Sequence, residues 1–312
     1  ARGFEYEPLR TQVSIAPGQQ DLTFHLKRFY DMSKERYFSG DTHVHFLSTR
    51  GAHLEAAGEG LNVVNLLLAQ WGHLFTGMEE FTGGPSVDRR HNTIVYASQE
   101  NRQHILGHLT LLGLKKPLMP WSSDGPPEAE LGGNLETTLS RWADACHAQG
   151  GTVIIPHCPI PNGEAAALVA TGRADGAEWH MHDERMRLEY YRYLNCGYKL
   201  PLVGGTDKMT AEVPVGIYRT YVHIPEGEPF TYGTWCKYLC AGNTFHSGGP
   251  LLQLRVEGQA MGGTVRLPGN GGEVEVEAAA RSILPFRRLE IVMNGHVVER
   301  VEERRGTRRL RL

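Results

Sequence analysis

The chain has 312 residues, of which 40% are hydrophobic and 21% are charged, and its formal net charge is −3. This length is sufficient for one large domain or two smaller ones, and the charge gives no electrostatic basis for binding nucleic acid or an anionic membrane. The longest apolar run, residues 63–69, is interrupted by Asn65 and is much shorter than the roughly 20 residues of a membrane-spanning helix. The composition favours a globular protein with no nucleic-acid partner and no membrane span. A small-molecule substrate is also expected, from the candidate site residues and not from the composition.

The five cysteines form an odd set without a CxxC spacing, so a zinc–thiolate site is not expected. We interpret Cys236 and Cys240 as buried thiols. The chain begins at Ala1, which a processed or a trimmed N-terminus would explain equally, and its Arg-rich end suggests continuation into a longer polypeptide. A solvated charged edge is the simpler interpretation of those arginines. Periplasmic, secreted and cytoplasmic locations all remain open, and so does the oligomeric state.

Residues 1–38 have the pattern of an N-terminal β segment. Apolar and polar residues alternate in 12–15 and 22–26 on either side of a Pro17-Gly18 turn, which predicts two strands.

Residues 39–250 alternate strand-like apolar runs with helical stretches, an order that predicts an α/β fold. A parallel barrel or sheet of this kind would place functional groups at the carboxyl ends of its strands. The expected strands are Thr42–Phe46, Asn62–Leu68, Asn92–Ser98, Leu109–Leu112, Thr152–Pro156, Ala177–Trp179 and Pro201–Gly204. The expected helices are His53–Glu59, Asn134–Gln149, Glu164–Ala170, Arg185–Asn195 and Pro229–Cys240.

Residues 251–312 change to short strands separated by Gly-rich turns, which predicts a small β-sandwich-like appendage. Asn294-Gly295 is a strong hairpin signal. The expected strands are Leu252–Val256, Gly263–Leu267, Glu273–Ala279, Leu289–Asn294 and His296–Val301. The chain therefore divides into an N-terminal segment (1–38), a barrel (39–250) and a C-terminal β-rich appendage (251–312).

His43 and His45 stand two apart in the stretch GDTHVH, residues 40–45. On an extended strand, residues i and i+2 point to the same face, so their two imidazoles can hold one cation from one side. Imidazole suits zinc, iron, nickel or copper. Two surface histidines on an exposed strand are the ordinary alternative.

Further candidate ligands follow other strand-like runs: Glu100, His108, His157 and Asp207. Each has a structural alternative. Glu100 could be a solvated carboxylate or a helix cap, His108 a core histidine bonded to backbone, and Asp207 a helix N-cap. The case for a metal site is joint, because a barrel gathers several strand ends on one face.

His180 and His182 form a second pair of histidines two apart, at the entry to a charged helix. We interpret them as surface or substrate-pocket residues in preference to ligands.

Several motifs together resemble the PHP (polymerase and histidinol phosphatase) superfamily of metal-dependent hydrolases: GDTHVH, EGLNVVNLL, GHLTLLG, IPHCP and GGTDKM, in that order. The longer stretches NCGYKLPLVGGTDKM, VPVGIYRTYV and GNTFHSGGPLL resemble its carbaryl-hydrolase-like branch, over about residues 36–250. The resemblance implies a distorted (β/α)7 barrel with up to three metals in its mouth. The metal ligands that it implies are His43, His45, Glu100, His108, His157 and Asp207.

Three departures from the family pattern concern the same third metal site. Leu68-Ala69, residues 48–51 and Met209 stand where the family has ligands. The resemblance therefore implies one or two divalent metals, zinc first, with manganese or iron as alternatives. Trp71, His73 and Met209 would then shape a substrate pocket, and His73 could partly replace a lost ligand.

The function expected from these residues is hydrolysis of an ester, carbamate or amide bond, with an aryl substrate favoured, by a metal-activated water. Asp207 or His180 would transfer the proton. Lys208 and Arg219 are the candidate anion-binding residues, with Arg102 a further one, although Arg219 could equally form a structural ion pair. The alternatives are a PHP-type phosphoesterase and a catalytically degraded barrel that acts as a binding module.

Overall fold

The structure, a computed structural model, describes residues 3–19, 21–123, 135–158, 163–179 and 184–312. Helices within these ranges are α1 (Thr49–Glu59), α2 (Leu139–His147), α3 (Ala165–Ala170), α4 (Glu184–Asn195) and α5 (Tyr232–Cys240). The first eight strands are β1 (Tyr37–Val44), β2 (Val63–Trp71), β3 (Leu74–Thr76), β4 (Pro85–Asp88), β5 (Thr93–Gln103), β6 (Gly107–Leu112), β7 (Thr152–Ile155) and β8 (Gly176–Trp179). The remaining strands are β9 (Leu202–Gly204), β10 (Arg219–His223), β11 (Thr244–Ser247), β12 (Leu251–Val256), β13 (Gln259–Ala260), β14 (Val276–Met293) and β15 (His296–Arg311).

The main sheet follows the path β11-β10-β1-β2-β5-β6-β7-β8-β9, with β3 paired to β2 and β4 to β5. Its two ends approach each other. Gly204 N donates to Thr220 Oγ1 at 2.7 Å, and Thr244 Oγ1 donates to Leu202 O at 2.9 Å. The sheet is therefore a nearly closed, barrel-like structure, and the mixed α/β class expected from the sequence is confirmed.

The sheet is only partly parallel, which differs from the parallel arrangement expected. β1, β2 and β5 are parallel neighbours, as are β7, β8 and β9. β6 is antiparallel to both β5 and β7, and β10 is antiparallel to β1. The reason at β6 is the short connection from β5, residues 104–106, which can close a hairpin but cannot accommodate a crossover helix.

Capping residues set the helix starts. Ser48 Oγ accepts from Gly51 N, so α1 begins four residues before the expected start at His53. Thr138 caps α2, which begins five residues after the expected Asn134. Thr231 and Thr234 form a reciprocal capping box at α5, so this helix excludes Pro229.

The strands that lead to the barrel mouth are buried over most of their length. Asn65, which interrupts the apolar run of β2, is fully buried and donates from Nδ2 to Asp41 O, while its Oδ1 accepts from Tyr232 Oη at 2.6 Å. Trp235 of α5 packs directly on β1 and donates from Nε1 to Phe38 O. A Cβ at Gly40 would overlap this indole, so the glycine of GDTHVH permits the close approach of α5.

The two strands expected at 12–15 and 22–26 are absent from the described ranges 3–19 and 21–36, so this prediction was wrong. The apolar residues in question are exposed, with Ile15 68% accessible and Phe24 49% accessible. Alternation alone does not form a strand where no neighbouring strand supplies a ladder. A single antiparallel bridge, Tyr6 to Arg28, joins the two arms of this segment.

A separate four-stranded antiparallel sheet, in the order β13-β12-β14-β15, follows the barrel. The strand expected at Gly263–Leu267 is wrong, since these residues are irregular. Two expected strands, Glu273–Ala279 and Leu289–Asn294, belong to one long strand, β14, whose pairing with β15 shifts at irregularities. The Asn294-Gly295 hairpin is confirmed, with φ values of 53° and 81°.

None of the helices in the described ranges has the length and hydrophobicity that crossing a bilayer requires.

Candidate metal centre

His43 and His45 lie at the carboxyl end of β1 and are 0% and 1% exposed. Their Nε2 atoms are 3.0 Å apart. The segment after β9 docks beside them, because Lys208 N donates to His43 O and His45 N donates to Lys208 O. This pairing brings Asp207 next to the two histidines.

The Nδ1 atoms of His43 and His45, which point away from the short Nε2–Nε2 contact, face hydrogen-bond acceptors. His43 Nδ1 lies 3.0 Å from Glu178 Oε1, and His45 Nδ1 lies 3.3 Å from Leu67 O. An ionised carboxylate and a carbonyl only accept, so each Nδ1 carries a hydrogen, and in the neutral ring each Nε2 presents a lone pair. Two lone pairs facing each other at this distance repel unless a proton or a cation lies between them.

Glu100 lies at the centre of the cluster, on β5, and is 2% exposed. Its Oε1 is 3.5 Å from His43 Nε2, 3.3 Å from His108 Nδ1 and 3.6 Å from His157 Nε2. Its Oε2 is 3.4 Å from His45 Nε2. The two oxygens of one carboxylate thus face two different sets of imidazoles.

Asp207 and His157 complete the cluster from loops with strained backbones. Asp207 Oδ1 is 3.3 Å from His43 Nε2 and 3.8 Å from His45 Nε2. Asp207 and His157 have φ values of 49° and 41°, and Phe46, directly after His45, has 55°. Non-glycine residues in this left-handed region are uncommon and often lie at functional sites.

Two sets of three ligand atoms, each within 4.8 Å of one another, occur in the described part of the chain. One set is His43, Glu100 and His157, and the other is His43, His45 and Asp207. Ligand atoms around zinc at 2.0–2.1 Å in tetrahedral geometry are about 3.3 Å apart, so the observed 3.0–3.8 Å fits a divalent cation. The single Nε2 lone pair of His43 can bond only one cation.

The charge balance of the cluster also favours a cation. Although burial lowers the pKa of His43, the carboxylates of Glu178 and Glu100 raise it to about 10. Although burial raises the pKa of Glu100, His43 and the nearby imidazoles of His108, His157 and His45 hold it well below its usual value. The same field that retains a proton on His43 would attract a metal ion, which competes with that proton.

Two buried carboxylates that organise the centre were not among the predicted site residues. Glu178, at the end of β8, faces His43, and the pKa of this carboxyl falls to about 2 because His43 outweighs the effect of burial. Asp41 accepts from the backbone N–H groups of His43, Thr206 and Gly216 at 2.7–3.0 Å. Burial raises the Asp41 pKa to about 6. Asp41 stands two residues before His43, and Glu178 stands two residues before His180. This proximity to a candidate site residue was the sequence signal that could have identified each carboxylate.

The expected pocket residues lie in different environments. Trp71 is 5.6 Å from His45, between ring centroids, and lies at the rim of the cluster. His73 is exposed in the turn between β2 and β3, and Met209 is 37% exposed. Leu68 and Ala69 are buried apolar residues of β2, in agreement with the absence of a ligand there.

Lys208 and Arg219 do not suit the anion-binding role expected of them. The buried Lys208 Nζ donates to Thr210 O and Val213 O at 2.7 and 2.6 Å, and Glu55 lies 3.4 Å away. The buried Arg219 guanidinium donates to Gly216 O and Glu59 O and covers the Phe4 ring. Both cations satisfy backbone carbonyls, which is the structural alternative considered for Arg219.

Arg102 is the one lysine or arginine within 4 Å of the Glu100 carboxylate in the described ranges. Its Nε is 3.9 Å from Glu100 Oε2, and its guanidinium carbon lies 3.8 Å from the Trp71 ring centroid. His180, expected to transfer a proton, lies outside the described residues, as does His182.

No family model matches this chain, and no curated protein matches it. Several solved structures are similar to it, including PsfC and Endonuclease Q. PsfC from Pseudomonas syringae is 17% identical over 68% of this chain and 91% of its own, with a TM-score of 0.45. Endonuclease Q, solved with a 27-mer duplex carrying an abasic lesion, is 13% identical over 65% of this chain and 56% of its own, with a TM-score of 0.43. At TM-scores below 0.5, neither similarity bears on the activity of this chain.

Proposed function

We propose that this chain is a metal-dependent hydrolase of the PHP type, with a distorted (β/α)7 barrel, that cleaves an ester, carbamate or amide bond. The observation that carries the proposal is that the buried Nε2 atoms of His43 and His45 lie 3.0 Å apart beside the carboxylates of Glu100 and Asp207. Two carboxylates and two imidazoles brought together in this way need a compensating positive charge, which a bound cation would supply.

The distances support an assignment of ligands to two positions. His43, His45 and Asp207 would hold one cation, and His108 and His157 a second. Glu100 would contribute to both, because its Oε2 faces His45 while its Oε1 faces His108 and His157. Zinc fits this set of imidazoles and carboxylates, and manganese or iron are alternatives with the same ligands.

A divalent cation bound there would supply Lewis acidity, which activates a water molecule and polarises a substrate oxygen. Asp207 is suited to accept the proton, since its side chain is 28% exposed at the mouth while His43 and His45 are closed off. Its left-handed backbone fixes the carboxylate beside the histidines.

The surroundings of the cluster support an apolar or aryl substrate over a phosphate monoester. A groove of about 390 Å³ begins at Phe46, the residue after His45. Its lining includes the apolar residues Phe46, Leu66, Leu67 and Phe75 and the acidic residues Glu79 and Glu80, which would repel a phosphate. Lys208 and Arg219 are committed to backbone carbonyls and add no positive charge to the mouth.

The first test measures bound metal in a double variant, His43→Ala with His45→Ala, by mass spectrometry after dialysis. We expect metal in the wild-type protein and its loss in the variant. His147→Ala is the matched control, because His147, at the end of α2, pairs with Asp175 and with no proposed ligand, so this variant should retain the metal. Undiminished metal in a folded double variant would contradict the assignment.

A second candidate, a PHP-type phosphoesterase, is favoured by one observation, the position of Arg102 beside Glu100. A panel of 1-naphthyl carbamate, p-nitrophenyl acetate and p-nitrophenyl phosphate separates the two. We expect ester or carbamate turnover, and phosphate turnover alone would reverse this preference. A metal-free protein of full thermal stability would instead support a non-catalytic binding module.

A further inference from the structure

We infer that Glu178 is a positioning residue that orients ligands of both proposed metal positions without itself binding a metal. The inference rests on the proposed function. Glu178 is completely buried at the carboxyl end of β8, and its Oε1 lies 3.0 Å from His43 Nδ1. The imidazole of His43 therefore stands between this carboxylate and the atoms that would bind the cation.

The same oxygen also reaches the second position. His157 N donates to Glu178 Oε1 at 3.4 Å, and Cys158 N donates to Glu178 O at 2.8 Å. These bonds fall where the His157 backbone takes its left-handed conformation, with φ of 41°. Glu178 thus stabilises the unusual turn that directs the His157 imidazole towards Glu100.

The other carboxylate oxygen is held in place from β1 and from the loop after β9. Thr42 Oγ1 donates to Glu178 Oε2 at 2.7 Å. A Cβ at Gly205 would overlap Glu178 Oε2 and lie 2.5 Å from its Cδ, so the space beside the carboxylate exists only because residue 205 is glycine. Both oxygens are therefore engaged by protein groups, which leaves Glu178 outside the ligand set.

Such a carboxylate acts on a metal through the histidine. It fixes the tautomer that presents the Nε2 lone pair, holds the ring in orientation and increases its basicity. Outer partners of this kind typically contribute 10- to 100-fold to metal affinity. Glu178 contacts both His43 and His157, so its loss should lower the metal affinity of both positions. Loss of a residue that contacts a single ligand should lower the affinity of one position only.

The test titrates Co²⁺ into the metal-free full chain and follows visible absorption and stoichiometry, for wild type, Glu178→Gln and Glu178→Ala. Glutamine keeps an acceptor but removes the charge, so we expect about 10-fold weaker binding for Glu178→Gln and about 100-fold for Glu178→Ala. Glu5→Gln is the matched control. Glu5 is also a buried carboxylate that accepts a backbone N–H, from Met32, but it contacts no proposed ligand.

The melting temperature of each metal-free variant separates positioning from folding. Thr42→Ala removes the hydroxyl that bonds Glu178 Oε2 and, at 3.2 Å, Gly204 O, but keeps the Glu178 carboxylate. It replaces Glu178→Ala if the latter does not fold, and should also weaken Co²⁺ binding. If the wild-type protein binds Co²⁺ and both Glu178→Gln and Thr42→Ala bind it equally tightly, the inference about Glu178 is overturned while the proposed function stands. A wild-type protein that binds no Co²⁺ or Zn²⁺ would instead overturn the proposed function.

Discussion

Replacing Gly205 by alanine tests whether the space beside Glu178 is required. The added Cβ would lie 2.5 Å from Glu178 Cδ and 2.7 Å from Thr42 Oγ1, both buried, and ordinary contacts begin near 3.4 Å. Gly205 is not in the left-handed region, so alanine adds a steric cost and no backbone strain. The carboxylate must move by about 1 Å, which breaks its bonds to His43 and Thr42.

Overpacking of a buried site typically costs about 1–3 kcal/mol, and we expect Gly205→Ala to lose that much unfolding free energy in the metal-free protein. Metal affinity should fall at the same time, because the displaced Glu178 no longer orients His43. Urea denaturation followed by circular dichroism measures the first effect, and a chelator-competition titration measures the second.

Gly58→Ala is the control, with the opposite expected sign. Gly58 lies inside α1, and a Cβ there meets nothing within 4 Å. Alanine should stabilise this helix by about 0.5–1 kcal/mol. A Gly205→Ala protein as stable as wild type, with unchanged metal affinity, would refute the role assigned to this glycine.

Three further predictions concern metal, pH and packing. Chelation should lower the melting temperature, and restoring metal to 100 times its dissociation constant should return about 2.7 kcal/mol of stability, measured by calorimetry. Burial raises the Glu5 pKa despite the Met32 N–H, so the wild type should lose stability as pH rises through that pKa. The stability of Glu5→Gln minus that of wild type should therefore increase from pH 4 to pH 8, measured by urea denaturation. Leu111→Ala, at a completely buried position of β6, should cost about 2–5 kcal/mol.

Each of these predictions has a control or a contradicting result. A melting temperature that is insensitive to chelator would contradict structural coupling to the metal. A constant difference between Glu5→Gln and wild type across that pH range would mean that Glu5 has the same pKa folded and unfolded. Leu284→Ala, at a 67% exposed position, should change stability by less than about 0.5 kcal/mol and is the control for Leu111→Ala.

The sequence was sufficient to predict the residues of the cluster because apolar runs deliver them to strand ends. Glu100, His157 and Asp207 each follow such a run, whereas His43 was indicated by its spacing from His45, and a barrel brings strand ends together. The hairpin at Asn294 was predictable for a local reason, since its backbone needs two positive φ values.

The remainder depended on partners that no local pattern encodes. Lys208 and Arg219 looked like anion-binding residues, but both donate to backbone carbonyls: Lys208 to Val213 O in the loop that follows it, and Arg219 to Glu59 O, 160 positions away. Glu178 looked ordinary because its importance comes from His43 and His157, far away in the chain. The short strands β10 and β11 were missed since pairing across the sheet, more than composition, defines them.

The bond from Thr206 N to Asp41 Oδ1 spans 165 positions of the chain, and the same oxygen accepts from His43 N. A nascent polypeptide would therefore present His43 and His45 to solvent long before Asp207 has been synthesised. High-affinity capture of an ion must wait until the last parallel strand, β9, has joined the ring. Tight metal binding would then indicate that the barrel-like sheet has closed. A fragment that ends before residue 200 would lack Asp207 and should bind metal only weakly.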